Sequence, residues 1–410
     1  MLSNLIAAAT GILFWLLLAR VAHLSPTEIG IGYAIVGMGA TIGVVAKGGL
    51  DTALLRSVPA TSREGGASLR RFAILVGCAV AIVLSLGLGL AAELFHALPD
   101  IGRLGWLLVG ATAVLLIITW LQDAYFLAEG DARFNLQRNL VLSAGRIVLP
   151  LPVIGLAWYH PVATTWLLAL VASALAALFL GRHVPTRSGP LLARAAFLRR
   201  SMRNGAGSAL EFLPGLLLAP LVLFVDGPSR AGHFAIAWTA ASLLFVLSAS
   251  ISRSALAEMV QRGALDTRAV IRTGVRQHLL TVAPAAVMGI LFAPTILGVF
   301  GPQYAAEGAT AFAILCASIL FVAPSYLYLS LLRAEDRGRP LVVFPLVILA
   351  TLLVLAPILE SSHGLPGVAA AWMLANAPFG LFAAWKLRHE AKEVMPHQRA
   401  RALDRRPHAE

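Results

Sequence analysis

Long apolar runs recur about a dozen times along this chain, divided by short gaps rich in arginine. A run of ~18–20 apolar residues crosses a bilayer as a helix, because a helix satisfies every backbone group within its own segment. The pattern predicts twelve such helices. They lie near residues 5–23, 30–55, 72–92, 104–128, 139–158, 162–181, 205–225, 231–256, 278–300, 307–332, 340–359 and 364–387. The expected fold class is therefore an all-α polytopic membrane protein. Little chain remains for a soluble domain, so the work is expected within the bilayer.

Composition sharpens this reading. The chain is 59% hydrophobic and 13% charged, against about 25% charged in a soluble domain. The net charge of +12 sits mostly between the apolar runs, which marks it as a topology signal and not as a nucleic-acid surface. The even-to-odd gaps are basic: Arg56, Arg63, Arg70 and Arg71; Arg182, Arg187, Arg194, Arg199, Arg200 and Arg203; Arg262, Arg268, Arg272 and Arg276; Arg333, Arg337 and Arg339. The odd-to-even gaps are short and nearly neutral, as at Tyr159-His160-Pro161. Basic loops stay in the cytoplasm, so both termini are expected there, in a multi-pass protein of the bacterial inner membrane. The first run is long enough to span and leads straight into a second, so it reads as a span and not as a cleavable signal. Trp106, Trp158, Tyr159 and Trp166 lie near predicted span ends and read as interface anchors. Cys78 and Cys316 both fall inside apolar runs, which gives neither a disulfide framework nor a metal-ligand spacing.

The two halves resemble each other. Pro26-Thr27-Glu28-Ile29-Gly30 opens the second predicted helix and Pro228-Ser229-Arg230-Ala231-Gly232 opens the eighth. Asp51-Thr52-Ala53-Leu54 matches Arg253-Ser254-Ala255-Leu256, and Ala128-Glu129 with Arg133 matches Ala334-Glu335 with Arg339. The three matches keep their order at similar offsets. A repeat of six helices inserts both copies in one orientation, as parallel repeats. This predicts an N-terminal lobe over 1–181, a basic cytoplasmic linker over 182–204, a C-terminal lobe over 205–389 and a polar cytoplasmic tail over 390–410. The linker is expected to begin as a loop and to end in an amphipathic surface helix over Leu191 to Met202. The tail is expected to be disordered.

Ionisable residues inside spans are costly and need a partner or a wet cavity. Lys47 and Asp51 share a helix face at an i, i+4 spacing. They read either as a neutralised pair or as cavity groups, with Lys47 facing an anionic substrate. Asp123 and Arg146 read as a structural pair. Glu211, between Gly205 and Pro214, is a candidate proton carrier or an interhelix hydrogen-bonding group. Arg253 occupies the repeat position of Asp51, and it and Arg20 could also snorkel to an interface. The prolines inside spans, among them Pro150, Pro214, Pro284 and Pro357, suit a protein that rocks between two states. No catalytic constellation and no Walker sequence appears, so an enzyme is not expected. The loops are too short for a glycan polymerase.

Four segments carry a resemblance to a known family: Leu18-Ala19-Arg20 with Ser25-Pro26-Thr27-Glu28-Ile29-Gly30; Gly49-Leu50-Asp51-Thr52-Ala53-Leu54-Leu55-Arg56; Phe300-Gly301-Pro302-Gln303-Tyr304; and Gly364-Leu365-Pro366-Gly367-Val368 with the alanines after it. In order and spacing they resemble bacterial O-antigen-type polysaccharide flippases of the multidrug/oligosaccharidyl-lipid/polysaccharide exporter superfamily. The resemblance implies two six-helix lobes in a V and a cavity lined by the first, second, seventh and eighth helices. The implied substrate is a polyprenyl-pyrophosphate-linked oligosaccharide, turned over by alternating access. Lys47, Asp51, Arg56 and Arg253 are then the substrate-binding candidates, and Glu211 and Asp51 the candidates for H+ or Na+ coupling. No cofactor is implied. The implied partners are membrane lipids, a polysaccharide polymerase and glycosyltransferases. The competing reading is a cation-coupled drug antiporter of the same superfamily, which would use Asp51 and Glu211 as cation sites.

Overall fold

The computed structural model describes residues 2–60, 63–130, 132–156, 160–180, 194–262, 267–335 and 337–390. Among these residues there is no strand. The first lobe comprises α1 (Leu2–Leu16), α2 (Pro26–Lys47), α3 (Leu50–Ser57), α4 (Arg63–Leu94), α5 (Gly102–Ala128), α6 (Ala132–Val148), α7 (Pro150–Gly155) and α8 (Pro161–Leu180). The second comprises α9 (Arg194–Asp226), α10 (Pro228–Arg262), α11 (Thr267–Gln277), α12 (Ala283–Leu291), α13 (Ala293–Gly298), α14 (Pro302–Ala334), α15 (Gly338–His363) and α16 (Leu365–Glu390). Eight helices are long and apolar enough to span alone: α2, α4, α5, α8, α10, α14, α15 and α16. The other expected passages are carried by α1, by α6 with α7, by α9, and by α11 to α13.

Local chemistry explains the starts and breaks. Ser25 Oγ accepts the Glu28 amide, and a Glu28 carboxylate oxygen accepts the Ser25 amide at 2.8 Å. This capping box, with Pro26 at the first helical position, fixes where α2 begins. Gly48 and Gly49, at φ 44° and 81°, end α2 and start α3, a left-handed step that glycine takes without a β-carbon clash. Pro150 brings no N–H to the Arg146 carbonyl, and the helix divides there into α6 and α7. A π-helical turn over His278–Val282 precedes Pro284 and makes room for the proline ring against the preceding turn.

The repeat is legible in the packing. α2 packs on α5 as α10 packs on α14, α5 on α8 as α14 on α16, α6 on α8 as α15 on α16, and α1 on α6 as α9 on α15. The third sequence match also ends its helices alike. Glu129 closes α5 and Glu335 closes α14, each with its amide donating to the carbonyls two and four residues back.

Two expectations need correction. The basic linker was expected to be separate from the seventh span, with its amphipathic helix on the membrane surface. Instead α9 runs unbroken from Arg194 to Asp226, because arginine, alanine and leucine are good helix formers and the glycines near 205 cost only about 1 kcal/mol each. Its apolar side meets protein: Phe197 is fully buried and packs edge-on against Phe72 of α4 at 6.4 Å. Trp166 is not an interface anchor either. It packs between Phe14 of α1 and Arg146 of α6. The first part of the linker, Trp158, Tyr159 and the tail after Glu390 lie outside the described residues.

Candidate functional site

The seam between the lobes is formed by α1, α2, α9 and α10. α2 runs antiparallel to α9 along its length. Ser201 Oγ donates to the Gly48 carbonyl at 2.9 Å, Gly37 faces the Leu216 carbonyl and the Pro220 ring, and Gly30 faces Pro228. The repeat-related contact, α1 on α10, is much less extensive.

One end of the seam is tightly shut. A β-carbon on Gly30 would lie 2.0 Å from the Pro228 carbonyl oxygen, and one on Gly232 would lie 1.8 Å from the Pro26 carbonyl oxygen. The two helix backbones therefore touch. Nearby, residues Leu17–Val21 form a π-helical turn after α1. Arg20, within it, donates from Nε to the Val299 carbonyl at 2.8 Å and from Nη2 to the Gly298 carbonyl at 2.7 Å. These carbonyls end α13, where a cation is favoured by the helix dipole. Arg20 thus clasps the opposite lobe.

Toward the other end, each lobe holds a polar set packed against its own helices. Lys47 Nζ and an Asp51 carboxylate oxygen are 2.7 Å apart, with 12% and 22% of their side chains exposed. The sequence places them on one face of a continuous helix; the structure has them bridging the Gly48–Gly49 break between α2 and α3. Lys47 also lies 5.4 Å above the Trp120 ring of α5, within cation–π range. Arg56 is exposed at the last turn of α3. In the second lobe, Glu211 of α9 is ion-paired with Arg333 in the last turn of α14. Arg253 of α10 is exposed, and Glu211, Arg253 and Arg333 all act electrostatically on Tyr326. Glu211 is thus an interhelix ion-pair partner.

The predicted Asp123–Arg146 pair does not form. Asp123 takes a two-pronged ion pair from Arg138, Nε to Oδ1 at 2.7 Å and Nη2 to Oδ2 at 2.6 Å. Arg138 also reaches Ser173 of α8 and Asn139. In a helical hairpin, residues equidistant from the turn meet. Asp123 and Arg138 flank the turn at Gly130 almost equally, whereas Arg146 lies two helical turns further on. Counting outward from Gly130 in the sequence would have found the right partner.

A second acidic site was not anticipated. Glu360, near the end of α15, is 1% exposed, and no protein donor reaches either carboxylate oxygen. The Asp226 carboxyl, at the end of α9, is near enough to act on it electrostatically. Asp226 is held by Arg230 of α10 at 2.8 Å. The visible signal was Glu360 in the short neutral gap, one residue type apart from its surroundings. Among the described residues no three His, Cys, Asp or Glu side chains gather as a metal site would need.

A groove of about 610 Å³ lies elsewhere, on the second lobe between α11, α14 and α16. Its walls are apolar, with Leu279 and Leu320 mostly exposed, and Arg272 and Arg388 at its border. It is separate from the seam.

No protein-family model matches the sequence, and no curated protein matches it. Solved structures do. The chain is similar to the lipid II flippase MurJ in an inward closed conformation, with TM-score 0.77 and 14% identity, over 94% of this chain and 87% of that one. It is similar to a multidrug resistance MATE family transporter of the MOP superfamily, inward-facing, with TM-score 0.65 and 18% identity, over 95% and 94%. It is also similar to a MOP superfamily transporter from Pyrococcus furiosus, with TM-score 0.65 and 13% identity, over 95% and 94%. The chain therefore has the fold of these transporters, that of a multi-pass membrane protein of two helical lobes.

Proposed function

We propose that this protein flips a polyprenyl-pyrophosphate-linked oligosaccharide across the bacterial inner membrane, by alternating access along the seam. One observation carries the reading. The two acidic residues that a cationic drug would need are already neutralised, Asp51 by Lys47 and Glu211 by Arg333. Exposed cations remain in both lobes, Arg56 and Arg253 among them. A cleft opening beside them would attract an anionic headgroup and repel an organic cation. The sugar and pyrophosphate cannot cross hydrocarbon unaided, because desolvating them costs too much. The polyprenyl tail would stay in lipid while the headgroup passes between the lobes.

In this reading the termini and the Arg56 end face the cytoplasm, as the basic loops favour. The Gly30–Pro228 end then faces outward and is the closed gate. Turnover requires that gate to part while the α3–α9 contact holds, and the reverse. The Glu360–Asp226 carboxyl pair is the better candidate for proton coupling, because Glu211 is committed to Arg333. A polymerase and glycosyltransferases would act before and after this step.

The test is flipping in proteoliposomes loaded with a fluorescent lipid-linked oligosaccharide. Arg253→Gln and Lys47→Ala are expected to lower the rate tenfold or more at normal membrane insertion. Export of cationic drugs by the wild type, with no turnover of the lipid-linked sugar, would instead establish the antiporter reading.

A further inference from the structure

Arg146 is a buried cation with no carboxylate partner among the described residues. It sits in the last turn of α6, 9% exposed. By the helical rise it lies roughly 20 Å along the span from the start of α6, deep in the hydrocarbon region of a bilayer about 30 Å thick. An arginine does not give up its proton in a protein, so the charge must be balanced where it is. No carboxylate among the described residues pairs with it, and its Nε has no acceptor. The neighbouring cation, Arg138, is already bound by Asp123, so this part of the lobe keeps one uncompensated positive charge.

The surroundings of Arg146 are specific. Its guanidinium lies 3.7 Å from the centre of the Trp166 ring, and that ring also meets Phe14 edge-on, centroids 5.6 Å apart. The Trp166 indole N–H is also buried and has no acceptor. Ser143, one turn earlier on the same face of α6, is 4% exposed and accepts a hydrogen bond from Thr10 of α1 at 3.0 Å. Two buried N–H donors that lack acceptors thus lie on side chains in contact, near a pair of hydroxyls, where Gly145 and Ala169 bring α6 and α8 close together. Face-on contact with an indole offsets part of the cost of burying a guanidinium, but it supplies no negative charge and satisfies no N–H.

We propose that Arg146 and Trp166 bind a small monovalent anion of the halide class inside the first lobe, between α1, α6 and α8. Both N–H groups donate to it, and it supplies the missing counter-charge. A lipid phosphate is disfavoured because headgroups lie at the bilayer surface. The site is separate from the Lys47–Asp51 end of the seam, and it stands whether or not the flippase reading is right. Because α1 also carries the Arg20 clasp, the bound anion would tie the clasp helix to the body of its lobe.

The experiment is thermal unfolding of the purified full-length protein in detergent, titrated with sodium chloride against sodium gluconate at constant ionic strength. Saturable stabilisation by chloride and bromide, absent with gluconate, is expected. Arg146→Gln should abolish that difference, and Trp166→Phe should raise the half-saturating chloride concentration several-fold. Coincident chloride and gluconate curves for the wild type overturn the proposal. So does a full chloride response in Arg146→Gln. Stabilisation that appears only with added anionic phospholipid, and not with chloride, also overturns it and assigns the arginine to lipid. Should Arg146→Gln fail to fold, Trp166→Phe decides alone, because it keeps the charge and removes one donor; an unshifted midpoint there sinks the site.

Discussion

Gly30 of α2 and Gly232 of α10 are reciprocal. Each lies against the carbonyl of the proline that opens the other's helix, Pro228 and Pro26, at a distance that leaves no space for a β-carbon. The same five-residue segment, used twice, closes one end of the protein. Gly30→Ala or Gly232→Ala must therefore push the two helices apart, since backbone cannot give way as a flexible side chain can. Spin labels at the exposed positions Thr27 and Ser229, in a background lacking Cys78 and Cys316, should report a longer distance in either variant. An unchanged distance distribution would mean that the contact does not set the gate.

The Asp123–Arg138 pair holds α5, α6 and α8 together through three polar groups: Asp123, Asn139 and Ser173. Arg138 is 5% exposed in this pair. Removing one member of a buried pair leaves the other charge uncompensated, at about 3–5 kcal/mol. Asp123→Asn should lower the unfolding temperature clearly, and Asp123→Asn with Arg138→Met should recover part of the loss. Equal melting of all three proteins would mean that the pair is solvated.

These two cases show what the sequence made legible. The gate was visible as a repeat, because Pro-x-x-x-Gly at 26–30 and 228–232 is local and survives in both copies. The ion pairs were not, because partner choice depends on how helices are apposed. Arg138 draws no notice in the sequence and Arg333 reads as a loop charge, yet each neutralises a half-buried acid. The twelve passages followed from hydrophobicity alone. The sequence reads a helix over Leu191 to Met202 but not its continuation into the seventh span; arginine favours helix and its long stem can lie along an apolar face, so α9 runs on.

The Lys47–Asp51 pair bridges a break that its repeat mate lacks, since α10 runs on without interruption from Pro228 to Arg262. The pair thus steadies the step at Gly48 and Gly49. Asp51→Asn strands Lys47 against Trp120, so it should destabilise the protein more than the double replacement Lys47→Ala with Asp51→Ala. Gly49→Ala places a β-carbon at φ 81°, a conformation that costs a non-glycine residue about 1–2 kcal/mol. It should melt lower while keeping the ion pair. A double variant less stable than Asp51→Asn would show that the lysine is held by something other than the carboxylate.

Glu360 and Asp226 offer the sharpest test of coupling. Two neighbouring carboxyl groups, with no donor to Glu360 among the described residues, share one proton between them or repel each other. Arg230 donates to Asp226 at 2.8 Å, while no donor among the described residues reaches Glu360; in the coupling reading the carried proton is therefore placed on Glu360. Glu360→Gln fixes that state, because the amide donates to Asp226 as the protonated acid does, and its N–H bonds are not lost as pH rises. The variant should therefore fold at least as well as the wild type. It should lose the dependence of transport on an imposed proton gradient, because nothing at the site then loads or releases a proton. Asp226→Asn removes the anion that Arg230 holds, so it should lower stability as well. The measurement is flipping rate in proteoliposomes across a range of external pH at constant internal pH. A flat profile for Glu360→Gln beside a sloped one for the wild type is the expected pair of results. Identical sloped profiles would assign the proton to another residue, and a slope that follows sodium instead would make the two carboxylates a cation site.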